Sequence, residues 1–192
     1  MVGATTRGMA RKRPGDSLGL VGPLGGRLFT SDSRPDALHI MVGGGYGVPP
    51  LVFLSREILA RDKGSRIAFL IGARTKDLLL CEQELRDTGI ATHSSTEDGT
   101  HGVRGRVTDV LAPLIAKNID SPMTVYCCGS TSMMQAVAAV CAQSSIPCQV
   151  SLEVAMPCGV GVCMGCVLDL KDGSRVRCCT DGPVFDSLEV AW

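Results

Sequence analysis

The sequence predicts an α/β fold with a parallel sheet, followed by a small cysteine-rich domain. Three observations carry this. Short apolar runs alternate with amphipathic stretches over residues 37–152; glycine turns follow two of those runs; and six of the ten cysteines fall between Cys148 and Cys179. Alternating strand and helix patterns with short connections require crossovers, which set strands parallel and cover both faces of the sheet with helices.

The first 36 residues are rich in Gly, Pro, Arg and Ser and hold only short apolar patches. Residues 17–21 read as a strand and Gly22-Pro23-Leu24-Gly25-Gly26 as a turn, but the segment cannot close a domain alone. Buried strands are then expected at 37–42, 66–71, 90–94, 124–127 and 148–152. Helices are expected at 49–61, 76–86, 106–116 and 130–143. In the last of these Met133, Met134, Val137, Ala138 and Val140 recur at helical spacing. Pro49 and Pro50 suit a helix's first turn, where a missing amide costs little. Beyond residue 152 the alternation stops. A Gly/Cys-rich loop leads to two short strands, at 166–170 and 174–178, joined by an Asp172-Gly173 turn. A stretch with so little core needs a staple. The expected organisation is therefore a lead-in over 1–36, a nucleotide-binding α/β domain over 37–150, and a metal-stapled tail over 151–192.

The 192 residues carry 19 basic and 19 acidic side chains, for a formal net charge of zero, with 45% hydrophobic and 20% charged residues. That composition excludes bulk disorder and gives no electrostatic reason to expect nucleic acid or an anionic membrane. Only 4% of residues are aromatic, too few for a base-stacking platform. No run approaches the roughly 20 apolar residues of a membrane span, and the start lacks a signal peptide's layout. A cytoplasmic setting is expected, and there clustered thiols point to metal before disulfides.

The most informative pattern is Cys158-x4-Cys163-x2-Cys166, then twelve residues, then Cys179. Three thiols in one short loop with a distant fourth is the plant-ferredoxin spacing for a [2Fe–2S] cluster. Gly159, Gly161 and Gly165 clear Cβ atoms from a loop whose amides must approach sulfur and permit positive φ. A structural zinc is the competing reading, although zinc sites more often show paired C-x2-C knuckles. Cys178 and Cys179 are adjacent; in a strand they would face opposite sides, and spacing does not choose between them. Cys81, Cys127, Cys128, Cys141 and Cys148 read as small buried hydrophobes.

Gly43-Gly44-Gly45-Tyr46-Gly47-Val48-Pro49-Pro50 follows a strand and opens a helix, the context of a phosphate-binding turn. It is not the G-x-G-x-x-G fingerprint, and a plain tight turn is the alternative. Cys128-Gly129-Ser130 is a second strand-to-helix turn, with Ser130 placed to cap the helix. His39 reads as a core residue, and His93 and His101 as solvated loop residues. Arg74 reads as a loop cation, with recognition of a 2′-phosphate as the sharper alternative. No nucleophile–base arrangement stands out, so no catalytic side chain is assigned; hydride and electron transfer need none.

Together, residues 15–29, the glycine turn 43–50, Tyr126-Cys127-Cys128-Gly129-Ser130 and the four-cysteine tail resemble the ferredoxin reductase superfamily. Within it, Ser151-Leu152-Glu153, Cys158-Gly-Val-Gly-Val-Cys163-Met-Gly-Cys166 and Cys179-Thr-Asp-Gly-Pro-Val-Phe185 resemble the electron-transfer subunits of NAD-dependent dihydroorotate dehydrogenases. The resemblance implies a ferredoxin-reductase-type NAD-binding domain, a C-terminal [2Fe–2S] domain, and FAD bound by an N-terminal β-barrel. This chain holds only a remnant of that barrel: Val2-Gly3-Ala4-Thr5-Thr6 resembles its Val-Gly-x-Gly-Thr segment, making Thr5 and Thr6 the expected flavin contacts. The family pattern selects Cys179, two residues before Asp-Gly-Pro-Val-Phe, as fourth ligand beside Cys158, Cys163 and Cys166. It places Gly44, Gly45 and Gly47 at the pyridine nucleotide, with Cys128 and Gly129 beneath the nicotinamide. The implied function is electron transfer between NAD(H), FAD and the cluster, to or from an FMN-containing catalytic subunit in a hetero-oligomer serving pyrimidine biosynthesis. Alternatives are the small subunit of a sulfide dehydrogenase or NADPH:ferredoxin transhydrogenase, or a non-enzymatic metal-stapled nucleotide-binding protein.

Overall fold

The computed structural model describes residues 3–192. After a short helix α1 (Ala4–Ala10), the chain runs β1 (Leu38–Gly44), α2 (Val48–Arg61), β2 (Arg66–Ala73), α3 (Glu82–Asp87), β3 (Ala91–Thr96), β4 (Val103–Arg104) and α4 (Val107–Lys117). It continues through β5 (Met123–Cys128), α5 (Thr131–Gln143), β6 (Cys148–Ser151), β7 (Val167–Asp169), β8 (Arg175–Arg177), α6 (Cys178–Asp181) and β9 (Val184–Asp186).

Seven strands form one sheet in the order β4-β3-β2-β1-β5-β6-β9. All pairings are parallel except β6 with β9, where Val150 stands opposite Phe185. The apolar run of β1 is buried from Leu38 to Gly43, as a central strand covered on both faces must be. Ile40, Val42, Leu70, Leu111, Val125 and Val137 pack on the α4/α5 side. Met41, Leu51, Phe69, Ile71, Leu85 and Tyr126 pack on the α2/α3 side. Helix α2 buries Val48, Leu51, Val52, Ser55 and Ile58, a helical stripe whose larger apolar members contribute about 1.5–3 kcal/mol each.

Several expectations are corrected. Residues 17–21 form no strand and are exposed, and among residues 3–36 the only sheet-like pairing is an isolated bridge from Arg27 to Pro183. The described lead-in therefore adds no strand to the sheet, because its apolar patches find no partner strand. The helix expected at 76–86 splits into a 3-10 turn (Lys76–Leu78) and α3, with Cys81 at φ +59° between them. Leaving the helix lets Leu79, Leu80 and Cys81 lie against the core. Strands β4 and β9, two and three residues long, carried no periodic signal. His93 lies exposed on β3 rather than in a loop, and half-buried His101 places Nε2 2.8 Å from Glu82 Oε1.

From residue 24 onward the lead-in is tied down. The backbone amides of Gly26 and Arg27 donate to the Gly182 carbonyl at 2.7 and 2.9 Å, and Gly25 donates to Cys179. Thr30 and Gln149 exchange two hydrogen bonds, and the Asp32 amide donates to the Tyr126 hydroxyl at 3.0 Å. Buried His39 places Nδ1 3.1 Å from the same hydroxyl, as a core histidine should. Burial lowers the His39 pKa and pushes Tyr126 up to about 12. The Arg34 guanidinium beside Asp32 holds that carboxyl well below the usual carboxylate range.

Candidate dinucleotide cleft and iron–sulfur site

In this sheet the chain steps outward from β1 through β2 and β3 to β4, then returns to the other side of β1 with β5 and β6. Open α/β sheets bind ligands at such a reversal, beyond the carboxyl ends of the strands. A cleft of about 670 Å³ lies there, lined by Gly44, Gly45, Gly72, Arg74, Arg106 and Gly129, among others. Glycines leave room at its floor for the Met133 side chain. A Cβ on Gly44 would stand 2.6 Å from Met133 Sδ, and one on Gly129 would stand 2.5 Å from Met133 Cε. Gly45 adopts φ +54° and faces open space.

The expected nucleotide residues divide in two. Gly44, Gly45 and Gly129 line the cleft, whereas Gly47 and Cys128 lie behind it. A side chain on Gly47 would collide with the Cys128 carbonyl, so this glycine lets the start of α2 close on β5. Burial, with a smaller contribution from Glu153, pushes the Cys128 thiol up to about 11. Ser130 caps α5 by accepting from the Met133 amide at 3.4 Å. Sequence reasoning passed over Arg106, Met133 and Glu153 as cleft residues and left Arg74 as a loop cation. Neither arginine has an ion-pair partner among the described residues, leaving two cations facing the cleft.

The cysteine loop has no regular structure between β6 and β7. Gly159 and Gly161 take φ +71° and +78°, as expected; Gly165 does not, and Met164 takes φ +60° instead. Gly165 contributes differently, donating its amide to Cys163 Sγ at 3.4 Å. The amides of Cys163 and Val160, the Cys163 thiol and the Val162 amide lower the Cys158 pKa to about 6. Cys166 is lowered by the amide and thiol of Cys179. Cys179 is raised by the Cys166 thiol beside it, an effect the Gly161 amide counters. Among the described residues no three His, Cys, Asp or Glu side chains meet closely enough to hold one metal ion. Cys158, Cys163 and Cys166 stand on one glycine loop and Cys179 opens α6, whose turn Arg177 ties to that loop through the Gly161 carbonyl. Thiols on a loop with an amide donor at sulfur suit a binuclear cluster with thiolate ligands.

Cys178 and Cys179 do not alternate across a strand, because both open the one-turn helix α6. The Asp181 carboxylate closes that turn by accepting the Arg177 amide at 2.8 Å. Cys178 faces away, its Sγ 3.5 Å from the Leu152 carbonyl. No disulfide forms, and Cys127, Cys128, Cys141 and Cys148 are buried, as expected of small hydrophobes; Cys81 is half-buried. Thr5 and Thr6 stand on α1, which buries nothing, and the Thr6 hydroxyl is bonded back to Gly3.

A doubly wound nucleotide-binding sheet carrying a three-thiol loop and a fourth thiol on α6 defines an iron–sulfur oxidoreductase of the ferredoxin-reductase fold. Residues 41–139 match the family model of the oxidoreductase NAD-binding domain, and residues 153–191 that of the iron–sulfur cluster binding domain of dihydroorotate dehydrogenase B. Curated relatives are the electron transfer subunits of dihydroorotate dehydrogenase B (NAD(+)) from Geobacillus kaustophilus, 37% identical over 190 residues, and Bacillus caldolyticus, 36% identical over 190 residues. Each alignment covers 98% of this chain and 70% of the relative. The chain belongs to this family of electron transfer subunits. Among solved structures it is similar to an NADH-dependent reduced ferredoxin-NADP oxidoreductase. There the TM-score is 0.80 and the identity 29%, covering 100% of this chain and 67% of that one. A cytochrome P450 reductase from Amycolatopsis shares the fold at TM-score 0.51 and 19% identity, covering 58% of this chain and 35% of that one.

Proposed function

We propose that this chain is the subunit that moves electrons between NAD(H) and the flavin of a dihydroorotate dehydrogenase catalytic subunit, as a hetero-oligomer in pyrimidine biosynthesis. The observation that carries the reading is the coexistence, on one small chain, of a switch-point cleft and a three-thiol glycine loop with a fourth thiol on α6. When bound, NAD(H) and FAD supply hydride chemistry and a [2Fe–2S] cluster supplies a one-electron relay. Cys158, Cys163, Cys166 and Cys179 are the proposed iron ligands. Gly44, Gly45 and Gly129 clear the floor for the pyrophosphate and nicotinamide; Gly47 and Cys128 support that floor from behind. Thr5 and Thr6 are the proposed flavin-phosphate contacts, on the strength of the family resemblance. Among the described residues no helix is long and apolar enough to cross a membrane, and the working compartment is proposed to be the cytoplasm.

The test is to mix the anaerobically reconstituted chain with a dihydroorotate dehydrogenase catalytic subunit and follow NADH at 340 nm, the standard nicotinamide wavelength, about where only the reduced ring absorbs. Dihydroorotate-dependent reduction of NAD+ requiring both proteins is the expected result. No rate above that of the catalytic subunit alone would remove the assignment. The likeness to a ferredoxin-NADP oxidoreductase, together with unpaired Arg74 and Arg106 in the cleft, favours one second reading, a transhydrogenase small subunit. A preference for NADPH over NADH in calorimetry would select it.

A further inference from the structure

Arg177, at the end of β8, joins the cysteine loop to the turn that carries Cys179. Its Nη1 donates to the Gly161 carbonyl at 3.2 Å. Its Nε lies 3.4 Å from Asp181 Oδ2, the oxygen that accepts the residue's own amide. Gly161 stands midway along the loop between Cys158 and Cys163, and Asp181 closes the turn that begins at Cys178-Cys179. The carbonyl gripped by Arg177 belongs to the Gly161–Val162 peptide, whose amide is among the groups that lower the Cys158 pKa. The preceding amide, that of Gly161, counters the rise at Cys179. A trans peptide points its carbonyl and N–H in opposite directions, so holding the oxygen outward aims the hydrogen inward. A cation on that oxygen also polarises the peptide toward sulfur. Gly161 fits this place because a Cβ would approach Thr180 Cγ2 to 2.8 Å and Arg177 Nη1 to 3.4 Å.

We propose that Arg177 is a positioning residue that sets the one-electron potential of the iron–sulfur site by fixing the Gly161–Val162 peptide of the cysteine loop. The inference deepens the proposed function and rests on its reading of Cys158, Cys163, Cys166 and Cys179 as ligands. Reduction adds one electron, and so one negative charge, among four thiolates, with no bond made or broken. A fixed cation and polarised amides oppose that accumulation and favour the reduced form. Asp181 offsets part of the charge. As a stability element the Arg177–Asp181 pair counts for little, since its side chains are 40% and 35% exposed. The guanidinium's planar fork serves the carbonyl and the carboxylate together, which an ammonium on a flexible stem does poorly.

The experiment is an anaerobic redox titration of the reconstituted full chain with a mediator series and dithionite as reductant, followed by visible absorbance and electron paramagnetic resonance. Iron and acid-labile sulfide are counted in every sample. Arg177→Gln is expected to lower the reduced-to-oxidised ratio at fixed poise about tenfold, which is ~59 mV for one electron. Arg177→Lys keeps the charge and recovers part of that shift while losing iron to a chelator faster than the parent. Asp181→Asn, which leaves the guanidinium less neutralised, moves the potential upward. A full cluster load with an unchanged potential in Arg177→Gln overturns the inference. If Arg177→Gln fails to load, Asp181→Asn decides: an upward shift supports the inference and none overturns it. A parent chain that takes up no iron and sulfide overturns the ligand assignment itself, and this inference with it.

Discussion

The floor of the dinucleotide cleft is made by the ends of β1, β2 and β5, strands lying between two layers of helix. The cysteine loop has no strand or helix of its own from residue 152 to residue 166 and leads into a two-stranded ribbon, β7 and β8. Val160, Val162 and Met164 are exposed around it. The cleft is therefore shaped by burial of apolar side chains elsewhere in the sheet, while the loop is shaped by amides aimed at sulfur and by one arginine. The first kind of site persists without its ligand because the core holds it. The second gains much of its order from the group it binds, as metal-coupled folding does generally.

The largest effect that could break this contrast is at the fourth thiol. Cys179→Ser should abolish the visible bands and iron content of the reconstituted chain, while Cys178→Ser, at a sulfur facing the Leu152 carbonyl, should leave both nearly unchanged. NADH affinity, measured by calorimetry, should survive in either variant. Next in size is Gly47→Ala. Its methyl would meet the Cys128 backbone rather than a movable side chain, so a loss of about 1–3 kcal/mol in denaturant unfolding is expected. Gly44→Ala meets only the flexible Met133 thioether; it should cost less stability and show chiefly as weaker NADH binding.

A smaller effect is expected in the middle of the sheet, where Tyr126 of β5 stands opposite Met41 of β1. Tyr126→Phe removes the hydroxyl shared by the Asp32 amide and His39, and should cost about 1 kcal/mol without altering the visible spectrum. The smallest is a pH effect at His39. Burial lowers its folded pKa below the ordinary histidine value, with Asp32 and Asp62 offsetting part of the shift. The unfolded chain thus binds this proton more readily than the folded one, and stability falls as pH drops through about 6.5 toward the folded pKa. His39→Gln should flatten that part of the stability–pH curve in urea titrations, and an unchanged slope would remove the assignment.

The sheet and the helices at its faces were legible because apolar runs and helical spacing are local, and so were the glycine turns. The cysteine spacing was legible as a ligand pattern before any fold was known. What escaped the sequence depends on tertiary approach. Arg106 and Glu153 converge on the cleft with Arg74 only once β2, α4 and β6 are aligned, and Met133 crosses the glycine floor only because Gly44 and Gly129 leave room. The turn at Cys178-Cys179 depends on a carboxylate, that of Asp181, closing back on Arg177, which outweighs the strand pattern of the preceding residues. β9 exists because β6 offers an open edge, and three residues carry no period. The lead-in's apolar patches read as strand, yet a strand needs a partner and residues 17–21 have none among the described residues.

The central claim, that Cys158, Cys163, Cys166 and Cys179 hold a [2Fe–2S] cluster, is tested most directly by anaerobic reconstitution of the full chain. Iron, zinc and acid-labile sulfide are counted beside the visible spectrum. About two irons and two sulfides per chain with thiolate-to-iron charge-transfer bands is the predicted result; one zinc, no sulfide and no visible bands would contradict it.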